Sequence, residues 1–145
     1  MTLAQVVTAE AELAEIARSA RTVAVIGMKD GTDPYAPAYR IPLILKERGM
    51  RVIPVNPMIA SALGEPSRPD IAAVREPVDI VDVFRRAEFV EGHADEILRL
   101  PPETRPAVVW MQTGIVNERA ATKLTAAGIR VVMDACLGVY AKRYR

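Results

Sequence analysis

The run Thr22-Val-Ala-Val-Ile26, closed by Gly27, decides the fold. Short, continuous and rich in β-branched residues, it reads as a strand covered on both faces; a half-exposed strand would alternate with polar residues. The same reading applies to Arg51-Val-Ile-Pro-Val55, Val78-Asp-Ile-Val-Asp-Val83, Ala107-Val-Val-Trp-Met111 and Ile129-Arg-Val-Val-Met133. Between these strands lie helical stretches: Ile41 to Arg48 closed by Gly49, Ala87 to Leu100 closed by Pro101-Pro102, and Asn117 to Ala127 closed by Gly128. Ahead of the first strand, Leu13, Ile16, Ala17 and Ala20 recur at helical spacing, with Thr8 as the expected N-cap. Alternating strand and helix implies parallel strands joined by crossovers. The expected architecture is therefore α/β: a Rossmann-like, doubly wound, mainly parallel five-stranded sheet with helices on both faces. Only Ser61 to Glu76 breaks the rhythm and reads as a loop with one short helix.

A chain of 145 residues, 50% hydrophobic and 26% charged, has the size and balance of one core, so a single domain over 1–145 is expected. Nineteen Lys and Arg against eighteen Asp and Glu leave a net charge of +1, which supplies no general field for nucleic acid or an anionic membrane. The single Cys136 excludes an intramolecular disulfide and a cysteine-based zinc site, and suits a reducing cytoplasm. Glu10, Glu12 and Glu15 interrupt any signal-peptide core, and no later run reaches the roughly 18 apolar residues of a spanning helix.

Ligands of open parallel sheets bind beyond the carboxyl ends of the strands, where strand order reverses. After the first strand comes the loop Gly27 to Tyr39, leading to a helix near Ile41 whose first turn is expected to hold Pro42. Its free N–H groups offer a phosphate site, and Gly27 reads either as a tight turn alone or as a turn that also cradles phosphate. The GxGxxG fingerprint is absent, and no acidic residue follows the second strand at Val55-Asn-Pro-Met58; both count against NAD. Arg85 and Arg86 open a helix at its positive end, an unfavourable place for cations unless an anion binds there. The plainer reading is two solvated arginines paired with Glu88 or Glu91, and Lys29 is open to the same pair of readings. Gln112, Thr113 and Gly114 offer an amide, a hydroxyl and close backbone approach after the fourth strand. Trp110 reads as core, His93 as a surface side chain and Cys136 as a small buried hydrophobe. Asp79 and Asp82, an odd number apart on a strand, point to opposite faces and form no acid–base dyad; either, if buried, needs a partner such as an arginine or a helix end.

Taken together, Ala24-Val-Ile-Gly27, Arg51-Val-Ile-Pro-Val-Asn-Pro57, Val78-Asp-Ile-Val-Asp-Val-Phe-Arg-Arg86, Trp110-Met-Gln-Thr-Gly114 and Val132-Met-Asp-Ala-Cys136 resemble the small CoA-binding protein family. That family is similar to the CoA-binding domain of the succinyl-CoA synthetase alpha chain. The resemblance implies coenzyme A as cofactor. Gly27, Met28, Lys29, Tyr39 and Arg40 would lie at the pyrophosphate, and Asn56 and Pro57 near the adenosine end. Phe84 and Arg85 would flank the nucleotide, and Gln112, Thr113, Gly114 and Ile115 would meet the cofactor across the switch point. The family often carries a basic residue after the Asn-Pro pair, where this chain has Met58; Lys29, Arg40 or Arg51 would then have to meet the ribose 3′-phosphate.

The synthetase relatives use a phosphorylated histidine on a following domain, which these residues do not include. The expected function is therefore a non-catalytic, cytoplasmic module that binds CoA or acyl-CoA, with a protein partner or homodimer as its setting and with neither nucleic acid nor membrane. The alternative is an NAD(P)-binding or acyl-CoA-processing enzyme.

Overall fold

In the computed structural model, which describes residues 5–145, β1 (Thr22–Ile26) lies between β2 (Arg51–Val55) and β5 (Ile80–Val83). The first four residues of the expected 1–145 domain lie outside that description. With β6 (Val108–Met111) and β7 (Arg130–Val132), these strands form a five-stranded sheet in the order β2-β1-β5-β6-β7, every pair parallel. A hairpin of β3 (Ser61–Ala62) and β4 (Glu65–Pro66) and a 3₁₀ turn at Ile71–Ala73 fill the stretch expected to be a loop with a short helix. The fold is α/β and Rossmann-like, as the alternation predicts.

Side-chain alternation along the buried strands divides the core. Val23, Val25, Ile80, Val108, Trp110 and Val132 face α1 (Glu10–Ser19), α2 (Pro37–Glu47) and α5 (Leu137–Tyr144). Ala24, Ile26, Val81, Val83, Val109 and Met111 face α3 (Ala87–Leu98) and α4 (Glu118–Ala126). Trp110 is fully buried, its Nε1 donating to the Ala135 carbonyl at 2.8 Å and its ring edge-on to Tyr140 at 5.8 Å. Val6 bridges to Val131 in parallel, so the amino-terminal segment covers part of the β7 edge.

Two local expectations need correction, and one helix is added. Thr8 does not cap α1: Ala9 occupies that position and supplies no side-chain bond, so Glu10 and Glu12 in the first turn carry the favourable interaction with the dipole. Pro42 is not in the first turn of α2, because the helix starts at Pro37; the fixed φ of Pro37 and its missing N–H suit that end. The last helix, α5, is an addition; its apolar residues Leu137 and Ala141 are buried, but eight residues give little periodicity to read.

Candidate functional site

Strand order reverses at β1: the chain leaves it for β2 on one side and returns on the other as β5. The connections after β1 and β5 therefore diverge and open a crevice at the carboxyl ends. Gly27 turns the chain there with φ +82°, and a Cβ at this position would stand 2.4 Å from the Phe84 carbonyl oxygen and 3.3 Å from Arg85 Cδ. Glycine is required both by backbone conformation and by the approach of the two connections.

The loop that follows is tied down from two sides. Pro42 has no N–H to give the carbonyl of Ala38, one helical turn earlier, and the amide of Lys29 takes that acceptor at 3.0 Å. A proline within the helix thus becomes an anchor for the loop. From the β2 side, Asn56 Nδ2 donates to the Met28 carbonyl at 2.9 Å while its Oδ1 accepts from the Met58 amide at 2.9 Å. Asn56 is therefore a positioning residue whose amide joins the β1 and β2 connections. The Tyr39 ring lies against Gly31, where a Cβ would come within 2.7 Å of it. Lys29 and Arg40 are exposed on this loop and the first turns of α2, whose N-terminus has no side-chain cap.

Between the connections of β1, β2 and β5 and the side of α3 lies a cleft of about 170 Å³. Gly27, Asn56, Pro57 and Arg85, all expected at the site, meet there with Asp70, Ile71, His93 and Glu96. The two adjacent arginines diverge. Arg86 is the solvated residue of the plainer reading, 3.4 Å from Glu88, whereas Arg85 has no carboxylate partner among the described residues. The Arg85 guanidinium stacks over Phe89 at 4.7 Å, and its buried Nε has no hydrogen-bond acceptor. Phe84 is half-buried and shares a shallow concavity with Arg85, Arg86 and Phe89 on the adjoining surface.

His93 is not the surface side chain that the sequence suggests. Its side chain is one-fifth exposed, it lines the cleft, and its Nδ1 lies 2.9 Å from Glu96 Oε1. Burial holds the imidazole below its ordinary range; Glu96 opposes that effect and Arg85 adds to it. The i,i+3 spacing of His93 and Glu96 was visible in the sequence, as was a helix starting beside Arg85. The fold of the Ser61–Glu76 stretch, which brings Asp70 and Ile71 to the cleft, was not.

Other expected site residues lie elsewhere. The Met28 side chain is fully buried in the core, leaving only its backbone near the loop surface. Gln112 is also buried and turned into the sheet, where its Nε2 donates to Asp82 Oδ1 at 2.7 Å. Asp82 is completely buried, and desolvation pushes its carboxyl up to about 7 against the opposing Gln112 bond. Its partner is thus an amide, not an arginine or helix end. Asp79 accepts the backbone amides of Arg21 and Thr22 at 2.8 and 2.9 Å. Thr113 and Gly114 are exposed beyond β6, with the Gly114 amide donating to Asp134 Oδ1 at 2.7 Å, and Ile115 packs against the core. Arg51 is at the opposite end of the sheet, the amino end of β2, paired with Glu65 and Glu76 at 3.1 and 3.0 Å. It cannot serve the crevice. Met58 is 86% exposed, and Cys136 is half-buried rather than enclosed.

The chain matches a family model described as a CoA binding domain over residues 21–142. It is 38% identical to the Bacillus subtilis protein YneT over 130 residues, covering 90% of this chain and 92% of that protein. A Thermus thermophilus protein of solved structure is 38% identical, with a TM-score of 0.84, over 95% of this chain and 100% of its own. A dinucleotide-forming acetyl-coenzyme A synthetase of Ca. Korarchaeum cryptofilum shares the fold alone: 20% identity and a TM-score of 0.60, over 76% of this chain and 25% of the synthetase. With the model covering most of the chain and the crevice at its expected place, the protein belongs to the CoA-binding domain family.

Proposed function

We propose that the protein binds coenzyme A or an acyl-CoA in the crevice between β1 and β5 as a non-catalytic, cytoplasmic module. The observation that carries this reading is Arg85: a cation at the mouth of the cleft with no carboxylate partner and an unpartnered buried Nε, held beside the close approach of Gly27 to Phe84. The cleft is smaller than the roughly 300–1,000 Å³ of a complete small-molecule site, so it receives one end of an extended ligand. We assign it to the adenosine end. The pyrophosphate then runs past Gly27 toward Lys29, Tyr39, Arg40 and the uncapped α2 N-terminus, where free N–H groups and the helix dipole favour anions. We assign Thr113 and Gly114, exposed beyond β6, to the far side of the crevice, and give Gln112 an indirect role through its bond to Asp82.

Calorimetric titration of ligand-free protein with CoA, beside dephospho-CoA, acetyl-CoA, NAD and ADP, tests the reading. CoA should bind with micromolar affinity or better, about −8 kcal/mol, and Arg85→Glu or Lys29→Glu should weaken it at least tenfold. Folded protein that binds NAD and not CoA would overturn it. Thioester hydrolysis of acetyl-CoA that is lost on Cys136→Ser would replace the binding module with an enzyme.

A further inference from the structure

Four ionisable side chains line the cleft. Sharing the cleft with His93 are Glu96 from its own helix, Arg85 from the connection after β5, and the exposed Asp70 from the connection before the 3₁₀ turn; Gly27, Asn56 and Pro57 close the remaining wall without charge. With His93 neutral, one cation faces two carboxylates. With His93 protonated, the charges balance. The Asp70 carboxylate accepts the Ala73 amide at 3.0 Å, and Glu96 lies at His93 Nδ1. The neutral ring keeps its proton on Nδ1 toward Glu96, and a second proton must go to Nε2, creating a new donor in the cleft.

We propose that His93 sets, through its protonation, whether this cleft distinguishes a ribose bearing a 3′-phosphate from one bearing a free hydroxyl. This rests on the assignment of the adenosine end to the cleft. A phosphate monoester brings about −1.5 to −2 charge, which a cleft of one arginine against two carboxylates repels; a second cation removes that net repulsion and adds a donor. Met58, neutral and solvent-exposed after Asn56-Pro57, adds no cation of its own. Burial of the imidazole keeps the cleft in its less discriminating state at neutral pH, and an incoming dianion draws a proton onto the ring.

The test is the ratio of the dephospho-CoA Kd to the CoA Kd, measured calorimetrically from about pH 5.5 to about pH 8 in the wild type and in His93→Gln. Ionisation of the ligand's own phosphate is common to both proteins and cancels in the comparison. The wild-type ratio should exceed that of the variant by about tenfold at the acid end, the worth of one charge-assisted contact, and the two should converge at the alkaline end. At an intermediate pH, CoA binding to the wild type should also take up more protons than dephospho-CoA binding, read from two buffers of different ionisation enthalpy. Equal ratios in both proteins at every pH, with both ligands bound, would overturn the role of His93 and leave CoA binding standing. Failure of both ligands to bind would overturn the reading of the site itself.

Discussion

Replacing Asp82 with asparagine should stabilise the protein at alkaline pH and leave it nearly unchanged in acid. The carboxyl is fully buried between β1 and β6, no cation faces it, and its one side-chain bond is from Gln112 Nε2. Asp82 Oδ2 and Gln112 Oε1 are both without partners. Two acceptors of one pair are left over when Asp82 is ionised; a proton on Oδ2 gives Asp82 a hydroxyl to donate, and Oε1 is the acceptor still open. Desolvation therefore favours the neutral acid, and the carboxyl titrates near 7 instead of near 3.8. Since the folded value is raised, the stabilisation is fully present below about pH 4 and is lost as pH rises through about 7.

At about 1.36 kcal/mol per pH unit, the interval between 3.8 and 7 amounts to about 4 kcal/mol. Asparagine keeps the shape, cannot ionise, and places an amide donor where the acid would carry its proton. Urea unfolding at a series of pH values reads the difference directly. With an m-value of about 2 kcal/mol per molar, Asp82→Asn should unfold about 2 M later than wild type near pH 8 and within about 0.5 M of it near pH 4.5. The His93 imidazole contributes with the opposite sign, because its folded value is lowered, but it contributes equally to both proteins and drops out. Parallel pH profiles for the two proteins, or an asparagine variant less stable at pH 8, would refute the argument: the carboxylate would then be ionised and satisfied in the folded state.

Gly27→Ala should cost about 2–4 kcal/mol, since it combines φ +82° with a Cβ 2.4 Å from a backbone oxygen; a loss below 1 kcal/mol in thermal or urea unfolding would show that the two connections can separate. Glu76 is held down to about 2 by its hydrogen bonds with Arg68, so its contribution is present above about pH 4.5 and lost as pH falls toward 2. Allowing for partial exposure, Glu76→Gln should lose about 1 kcal/mol at neutral pH and show a shallower acid-unfolding profile than wild type. Asn117 caps α4 by accepting from the Ala120 amide at 2.9 Å and donates to the Ala87 carbonyl at 2.8 Å. Asn117→Ala should lower stability by about 1–2 kcal/mol and Asn117→Asp by less, since only the cap survives in the latter.

The strands were legible because burial on both faces leaves a continuous apolar run: β1 and β2 occupy the very residues their composition marks, β5 and β6 start two and one residues later than their runs, and β7 is one residue shorter at each end. Gly27 was legible as a turn, since glycine after such a run has few other uses. What could not be read was direction. Gln112 follows a strand end as Thr113 does, but alternation sends it inward to Asp82 and leaves Thr113 in solvent. Arg85 and Arg86 are adjacent in sequence, yet one stacks over Phe89 at the cleft and the other pairs with Glu88. His93 and Asp70 are 23 positions apart and meet only through the Ser61–Glu76 fold, for which the sequence offers prolines and no period.

The two ends of the sheet differ in how well local rules are kept. At the amino end, Asp79 takes two backbone amides, Arg51 and Arg68 share Glu76, and Arg145 donates to the carbonyls of Ala17, Arg18 and Ala20 at the end of α1. At the carboxyl end, Asp134 has positive φ without being glycine, Gly27 is pressed against the Phe84 carbonyl, α2 contains a proline, and Asp82, Gln112 and Arg85 each retain an unpartnered buried atom. Leu63, the other non-glycine with positive φ among the described residues, sits in the tight turn of the β3–β4 hairpin, where that conformation is ordinary. Stability alone gives no reason for such asymmetry, since each departure costs on the order of 1–3 kcal/mol. The proposed site accounts for it: the close approach at Gly27 shapes the crevice, the Lys29–Ala38 bond ties its loop to α2, and Arg85 Nε has no partner among the described residues. The departures therefore support the proposed site on grounds separate from family resemblance, and they cluster where strand order reverses.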